Sequence, residues 1–499
     1  MESTKEIKIE IFDIQNDFKK HLEIENNKRI LFSGPFGTGK STFLKEVAES
    51  EDEDSFFYLR IFPVNYSVSS NEDVFELIKF DLLFQLMGRF YEEIKLEKED
   101  FTLLLKSQMF IMERMNFMPL LYAILSFSEK IGTPIVDFIK ALENTVGDFK
   151  KFNEEIKIDE ENDISAFLKS IENKKGNQHE MDAISELIFD LIERVKKENK
   201  KLAVLIIDDL DRLDPDHVFR IFNIFSAHHE EINNRNKFGF DKVIFVCDIE
   251  NIRKIFHHKY GLDVDFSGYI DKFYSISPFD FDNRKYVKNK IESFLFKIEF
   301  DRNLSFYSMD KNNRFLVVLK SITLSLIDAK LLNLRMLLSS PSLKVPELVY
   351  GKYNTYLSSS PILVLFYLLK NFYGSFEILQ IKLSSLFELF DSGNFRSRHG
   401  DGYVTKNEFD VNNLISYCLL FLSPEDLNVD ISKEEKTVYL ENYDCTFHYN
   451  EFNSYDYVSF VNFKKATKGQ NMDSQDVVLN PYRILFDTFI ICKKRGLLQ

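Results

Sequence analysis

The feature of this sequence that most limits its fold is a glycine-rich segment between an apolar run and a helical pattern. Residues 34–41 read GPFGTGKS, which matches GxxxxGK[ST] at every position. The run Arg29–Ser33 before it has the composition of a strand, and Phe43, Leu44 and Val47 after it repeat at helical spacing. A strand, a glycine-rich turn and a helix in this order predict a phosphate-binding loop, and hence an α/β fold of the P-loop NTPase class.

Each residue type in this segment has a chemical reason to be there. Glycines let backbone N–H groups turn towards a phosphate, and the following helix adds the positive end of its dipole. We expect Lys40 to reach the β- and γ-phosphates of a nucleotide and the Ser41 hydroxyl to bind Mg²⁺. The residues predicted to contact the nucleotide are Gly34, Pro35, Phe36, Gly37, Thr38, Gly39, Lys40, Ser41 and Thr42.

A second apolar run, Leu202–Ile207, ends in two carboxylates, Asp208 and Asp209. An uninterrupted apolar run is typical of a strand buried on both faces, and acidic side chains at its carboxyl end can hold Mg²⁺ and polarise water. We assign Asp208 to Mg²⁺ and Asp209 to the attacking water. Taken alone, the run could also be a strand that ends in a solvated acidic turn; beside a phosphate loop, the catalytic interpretation is favoured.

A third strand is predicted at residues 243–247, followed by Asp248. If the sheet is wound like that of other additional-strand NTPases, this strand lies between the two motif strands. Asp248 would then face the γ-phosphate and sense the state of the nucleotide. An ordinary cap for a helix that starts at Ile249 explains the same residue equally well.

Composition disfavours several other function classes. Lys and Arg number 64 against 79 Asp and Glu, a formal net charge of −15, so binding of nucleic acid through bulk positive charge is not expected. The four cysteines show no zinc-ligand spacing and fit reduced thiols in a cytosol. No apolar signal segment opens the chain, and the longest apolar candidates for a membrane span, residues 115–128 and 353–369, are shorter than the ~18–20 residues that a bilayer requires. We predict a cytoplasmic protein without a transmembrane segment.

Five segments of the sequence resemble the KAP family of P-loop NTPases. Residues 34–42 are similar to its phosphate loop, and residues 207–213 (IDDLDRL) are similar to its extended acidic motif. Residues 269–273 (YIDKF) resemble a further signature, and residues 332–335 (LNLR) resemble an N-x-R segment of its helical lid. Residues 62–66 (FPVNY) resemble the segment of its second strand, without the usual Trp.

The resemblance implies an AAA+-like ATPase related to the STAND signalling ATPases, with ATP as its nucleotide, in a bacterial setting that includes phage exclusion. It implies that Arg335, in the lid, reaches over the phosphates. Arg212 and Lys272 are candidates to stabilise the negative charge that develops in the transition state, and each could equally be a structural ion-pair partner.

AAA+-like cores usually need an arginine from a neighbouring subunit, so we expect a homo-oligomer, with an effector or trigger protein encoded nearby. A slow ATP-dependent switch, in which the chain after residue 346 recognises a partner, remains an alternative, and a nucleic-acid translocase is less favoured.

The predicted organisation is one NTPase core, residues 1–72 and 182–280, interrupted by a helical insertion at residues 73–181. Residues 281–345 are predicted to form a helical lid, and residues 346–499 a mostly helical C-terminal domain of unassigned role. Many KAP proteins carry transmembrane helices between the two phosphate motifs, but the apolar runs here are too short. The predicted fold class is therefore α/β, with an additional-strand, AAA+-like parallel sheet, a large helical insertion, a helical lid and this C-terminal domain.

Overall fold

The computed structural model describes the chain outside most of the predicted insertion. The described residues are 11–50, 55–66, 73–94, 183–227, 238–296, 298–300, 314–339, 344–345, 349–350, 355–356, 360–391, 411–422, 436–453, 457–467, 470–472 and 480–498. They fall into two compact units. The core unit is Phe12–Pro35 with Lys40–Phe281, and the lid unit is Met1–Ile11, Phe36–Gly39 and Asp282–Gln499. The predicted helical insertion lies outside the described residues except for its first part, residues 73–94.

The core unit alternates strands and helices along the chain. Its strands are β1 (Arg29–Ser33), β2 (Phe56–Ile61), β3 (Leu202–Ile207), β4 (Lys242–Cys247) and β5 (Phe279–Asp280). Its helices are α1 (Phe12–Glu23), α2 (Lys40–Glu49), α3 (Asp73–Arg89), α4 (Tyr91–Ile94), α5 (Ala183–Asn199), α6 (Pro215–Ala227), α7 (Ile249–Tyr260) and α8 (Phe266–Ile270). Short 3₁₀ turns occupy Pro63–Tyr66, Leu210–Arg212 and Asp271–Phe273.

The five strands form a parallel sheet in the order β2–β3–β4–β1–β5. Strand β4 therefore lies between the strands that precede the two motifs, as the sequence predicts. Both β3 and β4 read as continuous apolar runs because both sheet faces are covered: β4 is buried at every position and β3 at all but the first. This sheet confirms the predicted α/β P-loop fold, and its topology brings the carboxyl ends of β1, β3 and β4 to one edge.

Phenylalanine side chains anchor the two elements that flank the glycine-rich segment. Phe32 of β1 stacks on Phe43 of α2 with ring centroids 5.6 Å apart, and on Phe279 of β5 at 5.4 Å. Phe18 of α1 meets the ring of Phe32 edge-on at 5.1 Å, and Phe281 lies 4.9 Å from Phe43. Because aromatic pairs bury large apolar areas in defined geometries, these contacts fix both ends of the loop.

The lid unit has its own hydrophobic core. Its helices are α9 (Arg284–Asn289), α10 (Ile291–Leu295), α11 (Arg314–Asp328), α12 (Leu334–Leu338), α13 (Pro361–Tyr373), α14 (Phe376–Asp391), α15 (Val411–Leu422) and α16 (Pro481–Lys494). Its strands are β6 (Glu299–Phe300), β7 (Lys344–Val345), β8 (Val349–Tyr350), β9 (Thr355–Tyr356), β10 (Lys436–Leu440), β11 (Cys445–Asn453), β12 (Tyr457–Thr467) and β13 (Gln470–Met472). One core extends from Val287 to Leu498, so residues of the predicted lid and of the predicted C-terminal domain pack together.

The sequence has strand-like content at residues 436–440 and 455–463, and the structure extends this region to a four-stranded sheet. Strands β10 to β13 form an antiparallel sheet in that order, and β11 and β13 are not predicted from the sequence. Along β11, the buried residues Cys445, Phe447 and Tyr449 alternate with polar residues, which is the period-two pattern of a strand. Helix α15 is likewise not predicted from the sequence.

Within the described residues, no single helix combines the length and the apolar content needed to cross a membrane. Helices α13 and α14 meet both conditions only as a pair, with a bend of 102° between them.

Candidate nucleotide-binding site

The glycine-rich segment forms a tight loop between β1 and α2, and close packing explains its glycines. At Gly34, a Cβ atom would lie 2.8 Å from the backbone oxygen of Phe281. Gly37 has φ +76°, a left-handed conformation that favours glycine, and a Cβ atom there would lie 2.7 Å from Nδ2 of Asn333. A larger residue at Gly34 would require the Phe281 backbone to shift, and one at Gly37 would displace the Asn333 side chain.

Lys40, the first residue of α2, is buried against the start of this loop. Its side chain is 7% exposed, and Nζ donates hydrogen bonds to the backbone oxygens of Gly34 (2.7 Å) and Pro35 (3.3 Å). The cation is thus held against the loop that precedes it, where a phosphate would meet both the charge and the loop amides. Thr42, also assigned to the nucleotide, lies on the exposed side of the first turn of α2.

Asp208 is fully buried at the end of β3 and is tied to the phosphate-loop side of the sheet by an arginine. Its Oδ1 accepts from the backbone N–H of Asp209 at 2.8 Å, and its Oδ2 accepts from Nη2 of Arg60 on β2. The same Nη2 donates to the backbone oxygen of Ser41 at 2.8 Å. The two residues assigned to Mg²⁺ therefore share one arginine nitrogen.

Arg60 is a site residue that the sequence reasoning missed. A local signal existed, because Arg60 is the one charged residue in the otherwise apolar strand β2. What no local pattern contains is the pairing of β2 with β3, which brings the guanidinium to Asp208.

Asp209, assigned to the water, has a left-handed backbone (φ 56°, ψ 35°) and a partly exposed carboxylate. Its Oδ2 accepts from Nη1 of Arg212 at 3.0 Å. Of the two roles left open for Arg212, the structure shows the ion pair. Lys272, the other candidate cation, lies exposed in the 3₁₀ turn Asp271–Phe273.

The acidic motif contains a third carboxylate, Asp211, and the positive charge of Lys40 acts on it. Its Oδ2 accepts from Nδ2 of Asn251 at 3.4 Å. Burial raises the pKa of the Asp211 carboxyl above its ordinary value, and the positive charge of Lys40 opposes part of this rise.

Asp248 caps α7 by accepting from the backbone N–H of Glu250 at 3.1 Å, so the structure shows the capping role, and the sensor role stays a prediction.

The metal ligands predicted here fit Mg²⁺ better than a metal whose ligands are all protein side chains. Among the described residues, no three His, Cys, Asp or Glu side chains cluster as metal ligands. Mg²⁺ needs no such cluster, because it binds through one or two protein oxygens together with water and phosphate oxygens. The Ser41 hydroxyl and the Asp208 carboxylate would hold it.

Within the lid unit, the loop tip Phe36–Gly39 receives hydrogen bonds from three later residues. Asn333 Nδ2 donates to the backbone oxygen of Phe36 at 3.1 Å, and the Arg335 backbone N–H donates to that of Gly37 at 3.1 Å. Asn283 Nδ2 donates to the backbone oxygen of Thr38 at 2.5 Å. The guanidinium of Arg335 lies over the ring of Phe36, 4.6 Å from its centroid. Contact of Arg335 with the phosphates stays a prediction.

Comparison with known proteins agrees with this geometry. The sequence model described as the KAP family P-loop domain matches residues 18–340. That range contains the phosphate loop, the acidic motif and the Asn333–Arg335 segment. Comparison with curated proteins gave no significant match. The match covers most of the chain and all of the candidate nucleotide-binding site, and the chain therefore belongs to the KAP family of P-loop NTPases.

Proposed function

We propose that this chain is a Mg²⁺-dependent ATPase of the KAP type. The observation that carries the proposal is a buried lysine and a buried carboxylate at one sheet edge, Lys40 and Asp208, with Arg60 joining the second to Ser41. Burial of charged side chains costs free energy, so such groups are concentrated where function requires them. An anionic phosphate chain and a divalent cation complement these charges.

Each residue has a separate task in the proposed reaction. The loop amides and Lys40 bind the phosphates and fix their orientation, and Ser41 and Asp208 hold the metal. Bound Mg²⁺ would offset negative charge on the phosphates. Asp209 orients the attacking water, which it reaches from the partly exposed end of β3.

Replacement of Asp209 tests this assignment. Asp209→Asn removes a base but keeps the size of the side chain, so we expect nucleotide binding to persist and kcat to fall by about 100-fold or more. Asp216→Asn is the control, because Asp216 is an exposed carboxylate on α6 that pairs with Lys259. Steady-state phosphate release is the measurement. Wild-type turnover in Asp209→Asn would show that the water is oriented by another group, with Asp211 the next to replace.

A slow ATP-dependent switch is the second candidate, and one contact favours it. The Asp209 carboxylate already accepts a hydrogen bond from Arg212 at 3.0 Å, so one of its oxygens is engaged before a water could bind there. If this pair persists with nucleotide bound, turnover is slow and the bound nucleotide sets a conformation. Sedimentation with ATP and with ADP, run beside the turnover assay, separates the candidates: a switch changes its oligomer size with negligible phosphate release.

The cellular role that we propose is an oligomeric regulator in bacterial anti-phage defence, working in the cytoplasm with an effector encoded nearby. Its support is the family resemblance, since members of this family occur in phage exclusion. Phage challenge of cells that express the chain with its gene neighbours tests the role. Equal plaque counts for the wild type and for Lys40→Ala would contradict it.

A further inference from the structure

Three consecutive backbone carbonyls at the tip of the phosphate loop are held from outside the loop. The carbonyl oxygens of Phe36, Gly37 and Thr38 accept hydrogen bonds from Asn333 Nδ2, the Arg335 backbone N–H and Asn283 Nδ2 respectively. In sequence, these donors lie more than 200 residues after the loop. All of them belong to the lid unit, as does the loop tip itself.

Because peptide groups are planar, these three hydrogen bonds also determine the direction of the neighbouring backbone N–H groups. In a trans peptide, the C=O of one residue and the N–H of the next point in opposite directions. Outward bonds to the carbonyls of residues 36, 37 and 38 therefore direct the N–H groups of residues 37, 38 and 39 the other way. Those are the amides of the glycine-rich segment that a phosphate would meet.

The two asparagines are themselves held in place. Asn333 has a double role, because its Oδ1 accepts from the Met336 backbone N–H and so caps α12, while its Nδ2 reaches the loop. The fit is close, since the missing Cβ of Gly37 would lie 2.7 Å from this Nδ2. Asn283 precedes α9 and is 4% exposed; its side chain makes no cap hydrogen bond and instead donates its amide to Thr38.

One ion pair and one hydrogen bond fix the helix that follows Asn283. Lys288 Nζ lies 2.7 Å from Oδ1 of Asp328 at the end of α11. Arg284 Nη1 donates to the backbone oxygen of the same Asp328 at 3.0 Å. Helix α9 is thus tied to α11, and the direction of the Asn283 amide follows from packing within the lid unit.

We propose that Asn283 and Asn333 are positioning residues of the phosphate site, which orient the amides of Gly37, Thr38 and Gly39 through the carbonyls behind them. The inference rests on the proposed nucleotide binding and adds two residues to it. The loop keeps its phosphate-binding geometry only while these donors are in place. Nucleotide affinity therefore depends on these residues of the lid unit.

Asn333→Asp is the sharpest test, since Asp retains the oxygen that caps α12 and loses the N–H that holds Phe36. Asn283→Asp removes the donor to Thr38 in the same way. Asn480→Asp is a matched control within the lid unit. Asn480 caps α16 through Oδ1 and donates Nδ2 to the backbone oxygen of Phe387 at 3.1 Å, a double role like that of Asn333 but outside the phosphate loop.

The measurement is the Kd of a fluorescent N-methylanthraniloyl derivative of ADP, with EDTA present so that the metal plays no part. Thermal unfolding without nucleotide is recorded for each variant. We expect Asn333→Asp to weaken binding by about tenfold, which is the upper range for loss of one net hydrogen bond. Asn283→Asp should weaken it by a similar factor, and Asn480→Asp should leave the Kd within about twofold of the wild type, as expected for a site outside the loop.

The outcomes separate this inference from the proposed function. If the wild type binds the probe and folded Asn333→Asp binds equally well, the positioning role is wrong while nucleotide binding stands. If Asn480→Asp weakens binding as much as Asn333→Asp, the effect is one of general stability and the positioning role is again wrong. Should Asn283→Asp fail to fold, Asn333→Asp alone decides. Absence of binding in the wild type would overturn the proposed function itself.

Discussion

At the scale of single residues, the candidate site depends most on the two hydrogen bonds that the Arg60 side chain donates. Asp208 is fully buried, and a buried carboxylate without a partner is strongly unfavourable. The Arg60 side chain, 15% exposed, supplies that partner and at the same time holds the backbone of Ser41. The arginine therefore balances a charge that the metal would otherwise have to balance.

Arg60→Gln should lower stability and make it depend on metal. Loss of the cation leaves Asp208 buried beside one N–H group, so we expect a cost of about 3 kcal/mol without nucleotide. In the proposed site, Mg²⁺ with ATP would supply positive charge to the same carboxylate, and the melting temperature of Arg60→Gln should therefore rise more on their addition than that of the wild type. Thermal unfolding with and without Mg²⁺·ATP measures both effects.

Arg253→Gln is the control for that experiment, because the Arg253–Glu250 pair on α7 is exposed and 3.5 Å long. Pairs of this kind contribute little to stability. If Arg60→Gln melts at the same temperature as Arg253→Gln, Arg60 does not carry the balancing charge that we assign to it.

At the scale of elements, the sequence predicts those whose pattern is local. Strands β3 and β4 are visible as apolar runs because both of their faces are buried, and the phosphate loop is visible because its chemistry needs adjacent residues. Asn283 shows the limit: before α9 it looks like a helix cap, yet its amide bonds to Thr38, 245 residues away. Such a partner follows from packing of the whole lid unit, which no sequence window contains.

Helix α3, which contains no recognisable motif, makes a contact at the edge of the parallel sheet that is also invisible in the sequence. On α3, Gln85 accepts from the backbone N–H of Arg60 at 3.2 Å and donates to the backbone oxygen of Arg60 at 2.7 Å. One side-chain amide thus takes the place of a neighbouring strand at edge strand β2. Gln85 in turn donates to Asp81 at 2.7 Å, so the backbone that carries Arg60 is held by two residues of α3.

At the scale of the whole molecule, we expect phosphate binding to depend on local geometry and not on total charge. The chain has a formal net charge of −15, which repels polyanions, whereas the proposed site would bind one phosphate chain through the loop amides and one buried lysine. The loop tip Phe36–Gly39 groups with the lid unit and the rest of the loop with the core unit.

Calorimetric titration of the chain with ATP in the presence of Mg²⁺ tests whether Lys40 binds the nucleotide, when it is run for the wild type, Lys40→Ala and Lys45→Ala. Lys45 lies on α2 as Lys40 does, but it is 54% exposed and pairs with Glu49, so it serves as a matched control. We predict saturable binding of one ATP per chain, retained in Lys45→Ala and weakened by about 100-fold or more in Lys40→Ala, which loses the charge beneath the phosphates. Equal affinity of Lys40→Ala and Lys45→Ala, or no binding by the wild type, would contradict the account.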